Sequence, residues 1–260
     1  MLKKIVSRWF FVLFCSLLFM FQPFQYSVFG ASKDVMSKES AGEILKVIMP
    51  DVKVLSVGSA PVDGLWEVAL ESGGEKGIAY IDFAGKNVVF GSIIDAATKT
   101  NLTKKKFDEI NKIDVSLIPL KDSIVMGNSM ARHKVIVFDD PDCPYCAKLH
   151  EELKRTVEQR KDIVVYFKLF PLVQIHPQAY KKSTAIACEK SNEKALSLLD
   201  DAFAKKTIPE PSCETKIIDE NMKLAKKLGI SSTPILILDD GRVVRGAVKA
   251  EDLIKAIDNK

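Results

Sequence analysis

The sequence predicts a chain with two folded parts, a small α+β domain and a larger α/β domain, joined by a helical linker. Short runs of alternating apolar and polar residues between positions 66 and 90 are separated by glycine-containing turns, as in an antiparallel sheet. An apolar run at 135–138 leads directly into a Cys-Pro-Tyr-Cys motif and then into a helical pattern. The residues before position 31 match neither pattern and are predicted to be removed.

Residues 1–30 are predicted to be an export signal. Three basic residues precede an apolar run of thirteen residues, Trp9 to Phe21. That run has the length of a signal core and falls short of the ~18 residues that span a membrane. The small residues Val28 and Gly30 suit cleavage near Ala31. An uncleaved membrane anchor is the alternative.

Composition and charge favour a globular exported protein. Hydrophobic residues make up 47% of the chain and charged residues 28%, which is ordinary for a folded protein. The formal net charge is +4, and loss of the three basic residues of the signal leaves about +1. A nearly neutral chain offers no basic face, so a nucleic acid partner is not expected.

Residues 31–100 are predicted to form the first domain, a helix followed by a small antiparallel sheet. Pro50 ends the helix, and strand-like runs follow at 66–70, 77–83 and 87–90. Such a domain has a thin core and is expected to pair with another surface. The helix is predicted from apolar residues at helical spacing: Ala41, Ile44, Leu45 and Ile48.

Residues 101–129 are interpreted as a linker with a helix from Thr103 to about Leu117. The basic run Lys104–Lys106 could be a binding patch, but a solvated helix face explains it more simply.

Residues 130–260 are predicted to form the second domain. The order is strand, motif, helix, strand, helices, hairpin and helix, which is the order of a thioredoxin fold with a helical insertion. The ranges are a strand at 135–138, helix 143–159, strand 163–167, helices at 178–205 and 215–228, strands at 234–238 and 243–244, and a helix from 251.

Cys143 and Cys146 are the candidate catalytic residues. A thiol attacks only as the thiolate, and a helix N-terminus favours that anion. Cys143 is expected at this position, and Pro144 suits the first helical turn because it has no N–H to lose. Cys143 would attack a substrate disulfide, and Cys146, one turn later, would resolve the mixed disulfide. A zinc site and an inert structural disulfide are the alternatives.

Two further features accompany the motif. Thr233-Pro234 opens an apolar strand, where a cis peptide beside the motif or a trans proline at a strand edge are both possible. Of the five cysteines, Cys15 leaves with the signal, and spacing among the other four favours a structural pair between Cys188 and Cys213. Two free cysteines are the alternative.

These residues resemble the periplasmic protein disulfide isomerases of the DsbC/DsbG family over nearly all of the chain after the signal. The resemblance implies a homodimer joined through the N-terminal domains, thioredoxin-like catalytic domains, misfolded or unfolded exported proteins as substrates, and a membrane thiol reductase of the DsbD type as partner. No metal and no organic cofactor is expected. Pro144, Tyr145, Thr233 and Pro234 are expected to shape the motif and position substrate, although Tyr145 could simply face solvent. The segments that carry it are 61–64, 77–81, 85–86, 138–146, 148–150, 170–171, 187–188, 212–213 and 229–234.

The sequence departs from these relatives in informative ways. Pro144-Tyr145 looks like the DsbG branch, whereas the second cysteine pair looks like DsbC. Thioredoxins carry a buried aspartate six residues before the first cysteine; Val137 stands there, so that proton acceptor is expected to be missing. His150 shares a helix face with the motif and could tune the thiolate, or it could be a partly exposed helix histidine.

A disulfide isomerase and reductase is therefore the leading hypothesis. A DsbG-like reductase of sulfenic acids and a holdase chaperone are the alternatives. A DsbA-like oxidase fits less well, because its architecture has no place for the N-terminal sheet.

Overall fold

The computed structural model describes residues 35–259, and the predicted export signal at 1–30 lies outside them. The first part contains one helix and a four-stranded sheet in the order β1-β2-β3-β4, with antiparallel neighbours throughout. This confirms the α+β prediction. The elements are α1 (Lys38–Lys46), β1 (Lys53–Ser59), β2 (Leu65–Ser72), β3 (Glu75–Asp82) and β4 (Val88–Val89).

The apolar face of α1 covers one face of this sheet. Ser37 caps the helix by accepting a hydrogen bond from the Ser40 amide. Ala41 and Leu45 are buried against Val68 and Ile81 of the sheet. The sequence prediction missed β1, whose register with β2 shifts between residues 54 and 56, so that its side chains do not alternate cleanly.

The segment predicted as a linker is more structured than expected. Helix α2 (Leu102–Ile110) ends seven residues before Leu117, and a short 3-10 turn follows at Val115–Leu117. Thr103 on α2 lies 2.6 Å from the Tyr80 hydroxyl of β3, measured between their oxygens. The helix therefore packs on the first sheet instead of bridging freely.

The second sheet has five strands in the order β5-β7-β6-β8-β9. Its first strand, β5, lies before position 130, so the predicted boundary between linker and second domain is placed too late. A four-residue edge strand gives little periodicity to detect. The remaining elements are β5 (Ile124–Gly127), β6 (His133–Asp139), α3 (Pro144–Gln159), β7 (Ile163–Leu169), α4 (Ala179–Ala187), α5 (Asn192–Phe203), α6 (Ile217–Lys227), β8 (Ile235–Ile237), β9 (Val243–Arg245) and α7 (Ala250–Asp258).

Strand β6 lies at the centre of this sheet and delivers the motif. It pairs in parallel with β7 and antiparallel with β8. Alternate residues enter two separate apolar clusters: Val135 and Val137 on one face, Ile136 and Phe138 on the other. A central strand buried on both faces reads as a continuous apolar run, which is why the sequence predicted it well.

Among residues 35–259, no helix is both long enough and apolar enough to span a membrane.

Candidate active site

The motif lies at the junction between the end of β6 and the start of α3. Cys143 is the N-cap of α3, and its carbonyl accepts the first helical hydrogen bond from Ala147 at 3.1 Å. Pro144 occupies the first turn, where its missing N–H costs no helical hydrogen bond. The amide of Cys143 donates to the Asp140 carbonyl at 3.0 Å, which fixes the turn before the helix. The structure thus places the first cysteine at the positive end of a sixteen-residue helix.

Hydrogen-bond donors converge on the Cys143 sulfur. The Cys146 thiol donates to the thiolate and lowers the pKa of Cys143 most, while partial burial acts in the opposite direction. The amides of Cys146 and Tyr145 and the Thr233 side chain lower it further, to about 5. Cys143 is therefore ionised at neutral pH, which is the state that attacks a disulfide.

Cys146 has the opposite character. It is completely buried, and burial raises its pKa first of all. Its hydrogen bond to Cys143 and the neighbouring Asp139 raise the pKa further. The two cysteines therefore form a pair with one thiolate and one thiol, as nucleophile and resolver require.

The loop before β8 completes the sulfur environment. Thr233-Pro234 is a cis peptide. The Cys143 sulfur lies 3.7 Å from the Thr233 carbonyl oxygen, to which a thiol at Cys143 would donate. The Thr233 hydroxyl is buried and has no other partner among the described residues, so it is available to donate to the thiolate.

A buried carboxylate lies beside the motif, and the sequence analysis missed it. Asp139 is fully buried, and burial raises its pKa to about 7. The Cys146 thiol, acting as a donor, opposes this shift, while the charges of Cys143 and Asp140 add to it. Position 137 is indeed a valine, and a different buried carboxyl group lies two residues later on the same strand. Val137 and Asp139 share one face of β6, so the strand period of two could have revealed the carboxylate.

Asp140 tethers the loop at 172–176 to the end of β6. One of its carboxylate oxygens accepts from the Asp142 amide at 2.8 Å. The other accepts from the Leu172 amide at 2.7 Å and lies 2.9 Å from the His176 Nδ1 atom. The apolar side chain of Ile175 in this tethered loop is 67% exposed. Tyr145, in the motif itself, is 60% exposed.

The other two histidines serve the fold. His150 is fully buried, contrary to the expectation of partial exposure, and burial lowers its pKa. Its Nε2 atom lies 2.6 Å from Asp200, and its ring packs on Phe167 and Phe203. His133 Nδ1 lies 3.0 Å from the Asp239 carboxylate.

Cys188 and Cys213 form a disulfide with a Cα–Cα distance of 5.6 Å. It joins the C-terminal end of α4 to the segment that precedes α6. Within residues 35–259, no group of three or more histidine, cysteine or acidic side chains is arranged to hold a metal ion.

Comparison with known proteins matches both parts of the chain. Residues 33–104 match the disulfide bond isomerase protein N-terminal domain family, and residues 98–260 match the thioredoxin-like domain family. The thiol:disulfide interchange protein DsbC of Salmonella typhimurium is 32% identical over 198 residues, which cover 75% of this chain and 77% of that protein. The chain belongs to the DsbC family.

Another relative extends the match. DsbC of Escherichia coli strain K12 is 30% identical over 210 residues, 80% of this chain and 82% of that protein. The crystal structure of Proteus mirabilis ScsC in a compact conformation superimposes with a TM-score of 0.50 at 21% identity, covering 61% of this chain and 86% of that one, and supports the fold. This DsbC family member is thus a thiol–disulfide oxidoreductase.

The chemistry available to this DsbC family member is thiol–disulfide exchange. An ionised sulfur at a helix end can attack, and a protonated sulfur one turn later can follow. Exchange of this kind transfers electrons between sulfur atoms and needs no other redox group.

Proposed function

We propose that this protein isomerises and reduces wrong disulfides in exported proteins through Cys143 and Cys146. The observation that carries the proposal is the opposite perturbation of the two thiols, which gives a pKa of about 5 at Cys143 and a raised pKa at Cys146. A nucleophile and a resolver need these properties.

The reaction begins when the Cys143 thiolate attacks one sulfur of a substrate disulfide. A Cys143–substrate disulfide forms, and the other substrate sulfur leaves as a thiolate. Two outcomes follow. If that or another substrate thiolate attacks the mixed disulfide, the substrate acquires a new disulfide and Cys143 is regenerated. If Cys146 loses its proton and attacks Cys143, the substrate leaves reduced and Cys143–Cys146 is oxidised.

The substrate is proposed to bind beside the motif. Tyr145 and the tethered 172–176 loop offer exposed apolar side chains, which suit unfolded chains. The backbone around Thr233 and Pro234 is proposed to align the substrate segment, since the Thr233 carbonyl already lies beside the Cys143 sulfur.

The protein is proposed to act as a periplasmic homodimer after removal of residues 1–30. The N-terminal domain exposes apolar side chains at Val62, Val89 and Phe90, which a second copy could cover. Each cycle that ends in reductive release leaves the dithiol oxidised, so a membrane thiol reductase of the DsbD type is the proposed electron donor. Residues 31–100 are proposed to form the dimerisation domain. The rest of the chain, from α2 onward, is proposed to form the linker and the catalytic domain.

The test is the recovery of activity from scrambled ribonuclease by the pre-reduced protein in a glutathione buffer. We expect recovery to vanish in Cys143→Ala. In Cys146→Ala, the substrate can still rearrange, but reductive release is lost and mixed disulfides accumulate. Recovery no faster than buffer alone, from a folded protein, contradicts the proposal.

Pro144-Tyr145, which resembles the DsbG branch, favours one alternative activity. A sulfenic acid accepts the Cys143 thiolate to form a mixed disulfide with loss of hydroxide, and Cys146 then releases the substrate thiol. Reduction of a sulfenic acid on a single-cysteine protein, without ribonuclease recovery, would indicate this activity. Suppression of aggregation that survives in Cys143→Ala would indicate a holdase.

A further inference from the structure

Strand β6 ends at Asp139, and the next residue, Asp140, has very different surroundings. Both are completely buried. Asp140 has three partners, the amides of Asp142 and Leu172 and the His176 ring. Asp139 has neither oxygen in an ordinary hydrogen bond within residues 35–259. Asp140 therefore shapes the loop, whereas nothing structural accounts for a carboxylate at position 139.

A buried carboxyl group without partners is costly to the fold. The side chain of Asp139 shares its face of β6 with Val137, which belongs to an apolar cluster. The side-chain donor that acts on Asp139 is the Cys146 thiol. The thiol is as deeply buried as the carboxyl group. The Cys146 thiol thus acts on this carboxyl group as a side-chain proton donor, beside the backbone amide of Asp140.

Cys146 needs an acceptor at one step only. While it is a buried thiol it cannot attack, and burial disfavours the thiolate. To resolve the mixed disulfide it must lose its proton without direct access to solvent. Asp139 is the acidic side chain that acts on it.

Few other groups compete for this role. The carboxyl group of Asp139 is affected by Asp140, the next residue in the chain, by Cys143 at the N-cap of α3 and by Cys146 in α3. The charged or titratable groups of the neighbouring elements are engaged elsewhere: His150 with Asp200, Lys168 with the Lys121 carbonyl, Lys182 with Asp142 and His176 with Asp140.

We propose that Asp139 accepts the Cys146 proton when the mixed disulfide is resolved, and that it thereby sets the balance between reductive release and isomerisation. This inference rests on the proposed function. The proton moves from the Cys146 sulfur to a carboxylate oxygen, and the Cys146 thiolate attacks the Cys143 sulfur. The Cys143–Cys146 bond forms, the bond from Cys143 to the substrate breaks, and the substrate sulfur leaves with the electron pair.

The state of Cys143 prepares this transfer. In the reduced protein, the Cys143 thiolate helps to hold the pKa of Asp139 up near 7. Formation of the mixed disulfide removes that charge and so lowers the pKa of Asp139. The carboxyl group therefore ionises more readily at the stage when Cys146 must give up its proton.

The balance between the two outcomes then depends on pH. When Asp139 is protonated it cannot accept, the mixed disulfide persists, and a substrate thiolate has time to attack. When Asp139 is ionised, Cys146 attacks sooner and the substrate leaves reduced. Isomerisation is favoured on the acidic side of the Asp139 transition and reduction on the alkaline side.

The test measures the lifetime of the mixed disulfide in single-turnover reactions. The full chain with Cys15→Ser reacts with a dye-labelled glutathione disulfide, and acid-quenched samples are analysed by mass. We expect Asp139→Asn to lengthen the lifetime at least fivefold above neutral pH and to abolish the pH dependence that ionisation of this carboxyl group imposes on it. Glu158→Gln, an exposed acid-to-amide change on α3, is the matched control and should leave both unchanged.

Three comparisons decide the result. A lengthening below fivefold, or a pH transition that persists in Asp139→Asn, overturns the inference. In Cys146→Ala, adding Asp139→Asn should not alter the lifetime, and an equal effect there would show a structural role instead. If Asp139→Asn does not fold, the infrared band of a protonated carboxyl group in the unsubstituted protein should titrate near neutral pH, and its absence overturns the inference. Failure of Cys143 to form any mixed disulfide would instead refute the proposed function.

Discussion

Asp139→Asn should change how the stability of the reduced protein depends on pH. The carboxyl group is fully buried, and its pKa rises from 3.8 to about 7 on folding. A raised carboxyl pKa means that folding takes up a proton, so stability is greatest below the unfolded pKa and falls as pH rises toward 7. Linkage gives a loss of about 2.5 kcal/mol between about pH 5 and pH 8 from this one group.

The asparagine variant cannot titrate and should not show this loss. A buried amide has its own cost, but that cost is the same at both pH values. The difference between variant and unsubstituted protein therefore isolates the carboxyl group. The assay is urea unfolding of both reduced proteins in the Cys15→Ser background at pH 5 and pH 8, with Glu158→Gln as control. The reasoning is refuted if the difference in unfolding free energy between the variant and the unsubstituted protein changes by less than about 1 kcal/mol between pH 5 and pH 8.

Three further predictions concern other parts of the chain. Thr233→Val should raise the pKa of Cys143, by less than about one unit, because one donor to the thiolate is lost; the pH dependence of alkylation by iodoacetamide measures it, and an unchanged midpoint contradicts it. Cys188→Ser with Cys213→Ser should cost about 3 kcal/mol of stability, as expected for a closed loop with a sequence separation of 25 residues, and urea unfolding measures it; a loss near zero would show that the bond constrains little. Phe90→Asp should weaken a dimer formed through the N-terminal sheet, seen as a lower mass in sedimentation; an unchanged mass places the interface elsewhere.

The sequence predicted the elements that have a strong period. Strand β6 is apolar on both faces and leads directly into the motif, so its place at the centre of a sheet could be anticipated. The helix boundaries at Pro144 and Gly229 followed from local chemistry, since proline suits a first turn and Gly229 adopts a positive φ of 70°. The two cysteines of the motif could be named because local sequence also places them at the start of a helix.

What the sequence could not supply depends on tertiary neighbours. Strands β1 and β5 are recognised by their partners, because one carries a register shift and the other is short. Burial of His150 depends on helix α5, which brings Asp200 and Phe203 to it. Asp139 could not be inferred from position 137 alone, because any residue on that face of the strand can bring its side chain to Cys146.

The most direct test of the account is the thiolate absorbance of the reduced protein as a function of pH. In the Cys15→Ser background, Cys143 and Cys146 are the free cysteines, since Cys188 and Cys213 are joined. The account predicts one thiolate that forms with a midpoint near 5 and disappears in Cys143→Ala, with no second thiolate up to about pH 9. Two thiolates forming together near the pKa of ordinary cysteines would contradict the division into nucleophile and resolver.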